Sequence, residues 1–325
     1  MKLLYPQDYI SQATACIEKA KHRVSFITMV ITNDTATDKL LDAMARAAKR
    51  GVEVHVAGDM FTYTELSGQF IPSHYYSRRV RSATKMARTL SSAGVHFNWL
   101  GRLNITTISG RTHSKWCIVD DTVFSFGGVN LYEAATKHTD YMFRADNPTL
   151  ANKLFKEHKR IVRADKNRHA YRSHSTKINN ESTILFDAGL FGDSIIYARV
   201  CRLAEQAKRV TYVSQYCPTG KLAKLLKKTD SLLYFNPWQK AYGFNRVIIR
   251  AGMYFTKQSS LYTREPYLHA KCIIFELHDG SKVAITGSHN FVHGGVLLGT
   301  REVALQTSDK AIISQLENFI TDNVA

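Results

Sequence analysis

His113, Lys115 and Asn130 recur at similar intervals as His269, Lys271 and Asn290. The first copy reads His113-Ser114-Lys115, four residues, Asp120, then Gly127-Gly128-Val129-Asn130. The second reads His269-Ala270-Lys271, four residues, Glu276, then Gly287-Ser288-His289-Asn290. One His-x-Lys is common in any sequence. Two copies in matching context, one per half of the chain, mark an internal repeat. The residue types suit a single tetrahedral phosphate. One imidazole attacks phosphorus and the other protonates the leaving alkoxide. The lysines neutralise charge on the non-bridging oxygens as it shifts in the transition state. Gly128, with Ser288 in the corresponding place, lets the backbone approach phosphate closely, and the Asn130 and Asn290 amides donate N–H to its oxygens.

These side chains need rigid elements to hold them. After each His the pattern is apolar and strand-like: Trp116-Cys117-Ile118-Val119 and Cys272-Ile273-Ile274-Phe275. Residues two apart on a strand share a face, so each His projects with its Lys. Asp120-Asp121-Thr122 and His278-Asp279-Gly280-Ser281 read as hairpin turns, with return strands leading into the glycines. His113 to Asn130 spans 17 residues and His269 to Asn290 spans 21. The extra four fall in the Glu276–Lys282 turn, where an insertion costs little.

Around the hairpins, helical spacing predicts helices over Asp8–Lys21, Lys39–Arg50, Ser77–Ala93 and Pro148–Ile161 in the first half. Strands are expected at Val24–Thr32, Val52–Ala57 and Val95–Trp99. The second half repeats the order, with helices at Asp193–Ala207, Gly220–Lys227 and Asp309–Thr321 and strands at Val210–Tyr216 and Leu232–Phe235. Such alternation implies a mixed sheet covered by helices in each half. The expected division is an N-terminal half over 1–165, a basic linker over 166–182 and a C-terminal half over 183–325.

At 325 residues and 44% hydrophobic, the chain can bury a substantial core. Its longest apolar run, Val24 to Ile31, is far short of a membrane span. No signal peptide is expected, because the first residues soon turn polar. Cys16, Cys117, Cys201, Cys217 and Cys272 are odd in number and widely spread, which fits free thiols. Thirteen His raise the question of a metal, but none has metal-ligand spacing. The net charge of +17 calls for an anionic partner, nucleic acid or an acidic lipid surface. Basic residues concentrate in Arg78–Arg88 and in Lys153–Arg172.

The paired motifs resemble those of the phospholipase D superfamily, and the first half resembles its cardiolipin synthase branch more widely. Ala43 to Val54 is similar to that branch's helix ending in Ala-Ala-Arg-Arg-Gly-Val, and Leu90 to Val95 to its Leu-x-x-Ala-Gly-Val step. Phe126-Gly127-Gly128-Val129-Asn130 and Thr139 to Arg144 resemble its Gly-Gly-x-Asn turn and its Asp-bearing strand. In the second half Leu268 to Lys271, Gly287 to Asn290 and Arg301 to Leu305 match the family order. The stretch from Leu222 to Thr263 matches weakly and is aromatic-rich in its own way. Glu276 stands where Asp is usual, and the membrane helices of many bacterial cardiolipin synthases have no counterpart.

The resemblance implies an α/β fold: two fused phospholipase D-like half-domains, each a mixed sheet flanked by helices, related by a pseudo-twofold. It implies catalysis by His113, Lys115, His269 and Lys271 through a phosphohistidine, with His113 as nucleophile and His269 as acid and base. Asp140 and Glu302 are expected to orient the imidazoles. Asp120 and Glu276 complete the catalytic motif and read as holding the hairpin turn. No metal or organic cofactor is implied. The expected activity is a phosphatidyltransferase or hydrolytic phospholipase D on a phosphatidylglycerol-like lipid. The expected setting is the cytoplasmic face of the cell membrane, with a monomer holding both motifs. Phe61, Tyr63, Phe70, Tyr75 and Tyr76 are candidates to meet lipid. Two other readings stay open: a metal-independent nuclease of the same superfamily, and a non-enzymatic scaffold binding lipid or nucleic acid.

Overall fold

Each motif hairpin lies inside a sheet, where its apolar strands are covered on both faces. The computed structural model describes residues 1–67, 77–101 and 111–325. Among them, the first sheet has seven strands, ordered Lys2–Leu4, Met142–Asp146, Thr122–Ser125, Trp116–Val119, Arg23–Thr28, Glu53–Asp59, His96–Leu100. The second runs Asp230–Tyr234, Ala207–Val213, Cys272–Leu277, Lys282–Gly287, Thr300–Thr307, Ser182–Ala188, His174–Lys177. In both, the motif strand sits between its hairpin partner and the strand opening the half's parallel pair. The expected α/β architecture of two mixed, helix-flanked sheets is the one observed.

The helices follow from sequence. Ser77 caps Arg78–Ser92, Asn147 caps Pro148–Lys166 and Asp309 caps Lys310–Asn323, each side chain accepting a backbone N–H of the first turn. Helices Pro6–Glu18, Asp38–Lys49 and Arg78–Ser92 bury apolar faces on the outside of the first sheet, and Ile195–Gln206 and Gly220–Leu226 do so on the second. Between the sheets lies one core shared by both halves. Trp116, Phe143, Leu154, Ile274, Leu305 and Phe319 all belong to it. Helices Pro148–Lys166 and Lys310–Asn323, one from each half, build its floor.

Several boundaries differ from expectation. The helix from Pro148 continues to Lys166. Residues 174–177, expected within a linker, form the edge strand of the second sheet, pairing with Thr183–Phe186. Their polar side chains are those of an edge, where no apolar alternation is required. The strand from Arg23 ends at Thr28, and Ile31 instead bridges to Leu131. Arg111–Thr112, a first-half segment, pairs in parallel with Thr300 and Arg301 of the second sheet. No helix among the described residues is long and apolar enough to cross a membrane.

Candidate active site

Each His-x-Lys segment enters its strand from a loop that the opposite half holds in place. Arg301 C=O accepts the N–H of His113 at 2.8 Å and of Ser114 at 2.9 Å. Thr139 C=O accepts the N–H of His269 at 3.0 Å and of Ala270 at 2.9 Å. The residue after each carbonyl is the carboxylate that binds the imidazole. His113 Nδ1 lies 3.1 Å from Glu302 Oε2 and 3.0 Å from Ser288 C=O. His269 Nδ1 lies 2.7 Å from Asp140 Oδ2. The pairs are crossed: the first-half imidazole has a second-half carboxylate, and the reverse. With Nδ1–H donated to an acid, Nε2 presents its lone pair outward.

His113, Lys115, His269, Lys271, Asp140 and Glu302 are all buried. Burial and the lysine ammonium groups lower the His113 pKa, against the pull of Glu302. Burial, then Lys271, His138, Lys115 and His113, push His269 well below the usual imidazole value. Burial would raise Glu302, but His113 and the hydrogen bonds overcome it and hold the acid at about 2. Burial lowers Lys115 to about 8, and burial also depresses Lys271, which Asp140 partly offsets. Each lysine Nζ donates to the backbone C=O of its own His, Lys115 at 2.9 Å. Lys115 and Lys271 lower the pKa of both imidazoles, so the four groups feel one another's charge. An anion bound beside them would favour the charged form of each lysine.

Asn130 and Asn290 are the polar ends left open. The side-chain Oδ1 of each is buried with no hydrogen-bond partner among the described residues. A buried orphan of this kind costs about 1–3 kcal/mol unless a ligand satisfies it. Each Asn follows the return strand of its hairpin, Thr122–Ser125 or Lys282–Gly287.

Gly128, Ser288, Asp120 and Glu276 each have partners within the protein. Gly128 donates its N–H to Asp140 Oδ1 at 3.1 Å, so it serves the carboxylate and not phosphate. A Cβ there would meet Asp140 Oδ2 at 2.7 Å and His269 C=O at 2.8 Å, so the close approach is to the other half's backbone. Ser288 donates its hydroxyl to Glu302 and accepts from Val303 N–H at 3.0 Å. Asp120 and Glu276 lie at the far ends of the motif strands, on the order of 20 Å from the imidazoles at ~3.3 Å per strand residue. Asp120 binds the N–H groups of Lys21, His22 and Arg23, each at 2.9 Å, which anchors the hairpin turn to the adjacent strand. Glu276 pairs in register with Lys282 at the hairpin end, partly exposed.

Of the aromatics expected to meet lipid, Tyr63 is buried and the Arg111 guanidinium covers Phe61 at 5.3 Å. Phe70, Tyr75 and Tyr76 lie outside the described residues. Sequence reasoning missed His138, whose ring is 5.7 Å from that of His269 and 5.3 Å from Tyr267. Its place two residues before Asp140 was the available signal. It also missed Asn236, whose side chain accepts from Leu268 N–H at 2.9 Å and donates to its C=O at 2.7 Å, fixing the entry to His269.

Residues 14–162 match the family model described as cardiolipin synthase, PLD-like domain. Cardiolipin synthase B of Salmonella typhimurium is 28% identical over 152 residues, 42% of this chain and 32% of that protein. The chain thus spans about a third of the length of the curated relatives it matches. Among solved structures, phosphatidylserine synthase of Haemophilus influenzae superposes with a TM-score of 0.72 at 14% identity, covering 100% of this chain and 86% of that one. Polyphosphate kinase of Porphyromonas gingivalis gives 0.62 at 10% identity, covering 98% and 46%. These two show the fold alone. The first half of the chain is thus similar to the cardiolipin synthase, PLD-like domain, and the whole chain shares the fold of the phosphatidylserine synthase.

Proposed function

We propose that this chain exchanges or hydrolyses the phosphodiester of an anionic phospholipid, as a phosphatidyltransferase or phospholipase D. The observation that carries this reading is the crossed pair of imidazole–carboxylate contacts, His113 with Glu302 and His269 with Asp140. It gives two imidazoles with opposed roles, beside the ammonium groups of Lys115 and Lys271, for one phosphate. The similarity of residues 14–162 to the cardiolipin synthase domain favours lipid over nucleic acid.

In the first step His113 Nε2 attacks phosphorus and the P–O bond to the leaving alcohol breaks. His269 Nε2–H gives its proton to the departing oxygen. The cation that forms on His113 faces the ionised Glu302, which stabilises it. In the second step His269 takes a proton from water or an acceptor alcohol. That oxygen attacks phosphorus, the N–P bond breaks and His113 is released. Water gives phosphatidate; an alcohol gives a new phosphatidyl ester. Substrate binding raises the proton affinity of His269, because the phosphate anion offsets the lysine charges that depress it. The Arg78–Arg88 and Lys153–Arg172 runs supply further attraction to anionic lipid. Arg78, Arg81, Lys85 and Arg88 form one exposed stripe on their helix.

The test is product analysis. Purified protein incubated with phosphatidylglycerol vesicles is expected to release glycerol and to form cardiolipin, or a phosphatidyl ester of an added alcohol, by mass spectrometry. His113→Ala abolishes it. If the lipid is untouched while single-stranded DNA is cut in a His113-dependent way, the nuclease reading replaces this one.

A further inference from the structure

Helix Gly243–Thr256 turns the wrong face outward for a solvated helix. Ile249 and Gly252 point inward, while Arg246, Val247, Arg250, Tyr254 and Phe255 form the exposed stripe. Val247 is 60% exposed, Tyr254 77% and Phe255 80%; Tyr242, just before the helix, is 85% exposed. A single exposed apolar residue needs no explanation, but a contiguous patch marks an interaction surface. The stripe borders a cleft of about 750 Å³ that Trp238 also lines. The guanidinium groups of Arg246 and Arg250 stand 4.9 and 5.1 Å from the Trp238 ring.

Charge identifies the occupant. From Trp238 to Arg264 the chain carries Lys240, Arg246, Arg250, Lys257 and Arg264, and neither Asp nor Glu. A second copy docked about a twofold axis would set these cations against themselves. Tyr, Trp, Phe and Val beside Arg is the composition of a surface lying at a bilayer interface, with rings at the headgroup level and guanidinium groups on lipid phosphate. Hydrogen bonds tie the patch to the segment that leads into His269. Tyr216 donates to Asn245 Oδ1 in its first turn at 2.6 Å, and neighbouring Gln215 donates to Tyr267 at 3.1 Å, two residues before His269.

We propose that the Trp238–Arg264 segment docks the protein on an anionic phospholipid leaflet, with Tyr254 and Phe255 inserted among the headgroups. This rests on the lipid reading of the active site and names the surface that brings lipid to it.

The test compares vesicles of phosphatidylcholine with and without 30% phosphatidylglycerol, by co-sedimentation. Wild type is expected to bind the anionic vesicles. Tyr254→Ser with Phe255→Ser lowers that affinity about tenfold or more, as insertion scales with apolar area. Arg246→Ser with Arg250→Ser removes the phosphatidylglycerol-dependent part, about fivefold per arginine. Tyr254→Trp retains or strengthens binding. All keep the wild-type melting temperature and the wild-type affinity for sulfate. Unchanged vesicle binding in both double variants overturns the proposal. So does a wild-type dimer that the serine variant makes monomeric, or single-stranded DNA binding lost in the variants while vesicle binding persists. If lipid is turned over equally by wild type and variants, docking here fails and the catalytic reading stands. If patch-dependent vesicle binding holds but no lipid is ever turned over, docking stands and the catalytic reading fails.

Discussion

Only Nε2 of each imidazole is left free of a carboxylate, because Nδ1 is bound by one from the opposite half. Replacing His113 or His269 by Ala is expected to cost ~10²–10⁴-fold in turnover with the fold intact by circular dichroism. Glu302→Gln removes the acid that raises the His113 pKa, so it should cost turnover and move the acidic limb of the pH–rate profile to lower pH, whereas Asp140→Asn should move the alkaline limb, set by His269, to lower pH. Equal profiles in the two variants would count against that division of roles. The lysines set a second dependence. Lys115 is held at about 8 by burial, so its ammonium is present below pH 8 and lost as pH rises through it. Burial depresses Lys271 further, to about 7, so sulfate, a dianion throughout, is expected to begin losing affinity near pH 7. It should weaken above pH 8 by up to about tenfold per unit for one linked proton. Calorimetric titration at pH 6.5, 7.5 and 9 checks it; affinity that holds to pH 9 contradicts the assigned charges.

At the scale of elements, the hairpins place the chemistry at one end and their anchors at the other. Asp120→Ala removes three charge-assisted bonds to the Lys21–Arg23 backbone. It is expected to destabilise by about 1–3 kcal/mol in urea melts while leaving turnover per folded molecule unchanged. Gly127→Ala is different, since its Cβ would sit 1.7 Å from Tyr141 C=O. It should cost about 3 kcal/mol or more and disorder the Asp140 strand. The His, Lys and Asn of each motif were legible because spacing alone fixes each set on its own hairpin. The strand–helix alternation was legible for the same reason, as periodicity is local. The roles of Gly128 and Ser288 were not. Small residues signal close approach to something, and here it is Asp140, Glu302 and the His269 backbone, whose arrival depends on tertiary packing. The edge strand His174–Lys177 was also hidden, because an edge strand covered on one side leaves no apolar pattern to read.

For the whole molecule, the two halves are one folding unit. They share a core that includes Trp116, Phe143, Ile274 and Phe319. Leu3 N–H donates to Gln315 in the last helix at 2.8 Å, and Gln315 donates back to Met1 C=O at 3.0 Å. Fragments 1–166 and 167–325 made separately are expected to expose this core and to bind no sulfate. Co-refolding them should restore binding. A fragment that binds sulfate alone, with a cooperative melt, would contradict the shared core. The crossing of the carboxylates could not be read from the motifs. The contacts join residues 129 and 189 apart in sequence, and nothing local in either segment encodes them.

That separation has a consequence during synthesis. His113 leaves the ribosome 189 residues ahead of Glu302, which at ~5–20 residues per second is roughly 10–40 seconds. Throughout that interval the nascent chain carries an imidazole with no acid to fix its tautomer and no opposite lysine to share a phosphate. The crossed pair is thus incomplete on any truncated or half-made product, and it closes only when the Thr300–Thr307 strand is laid into its sheet.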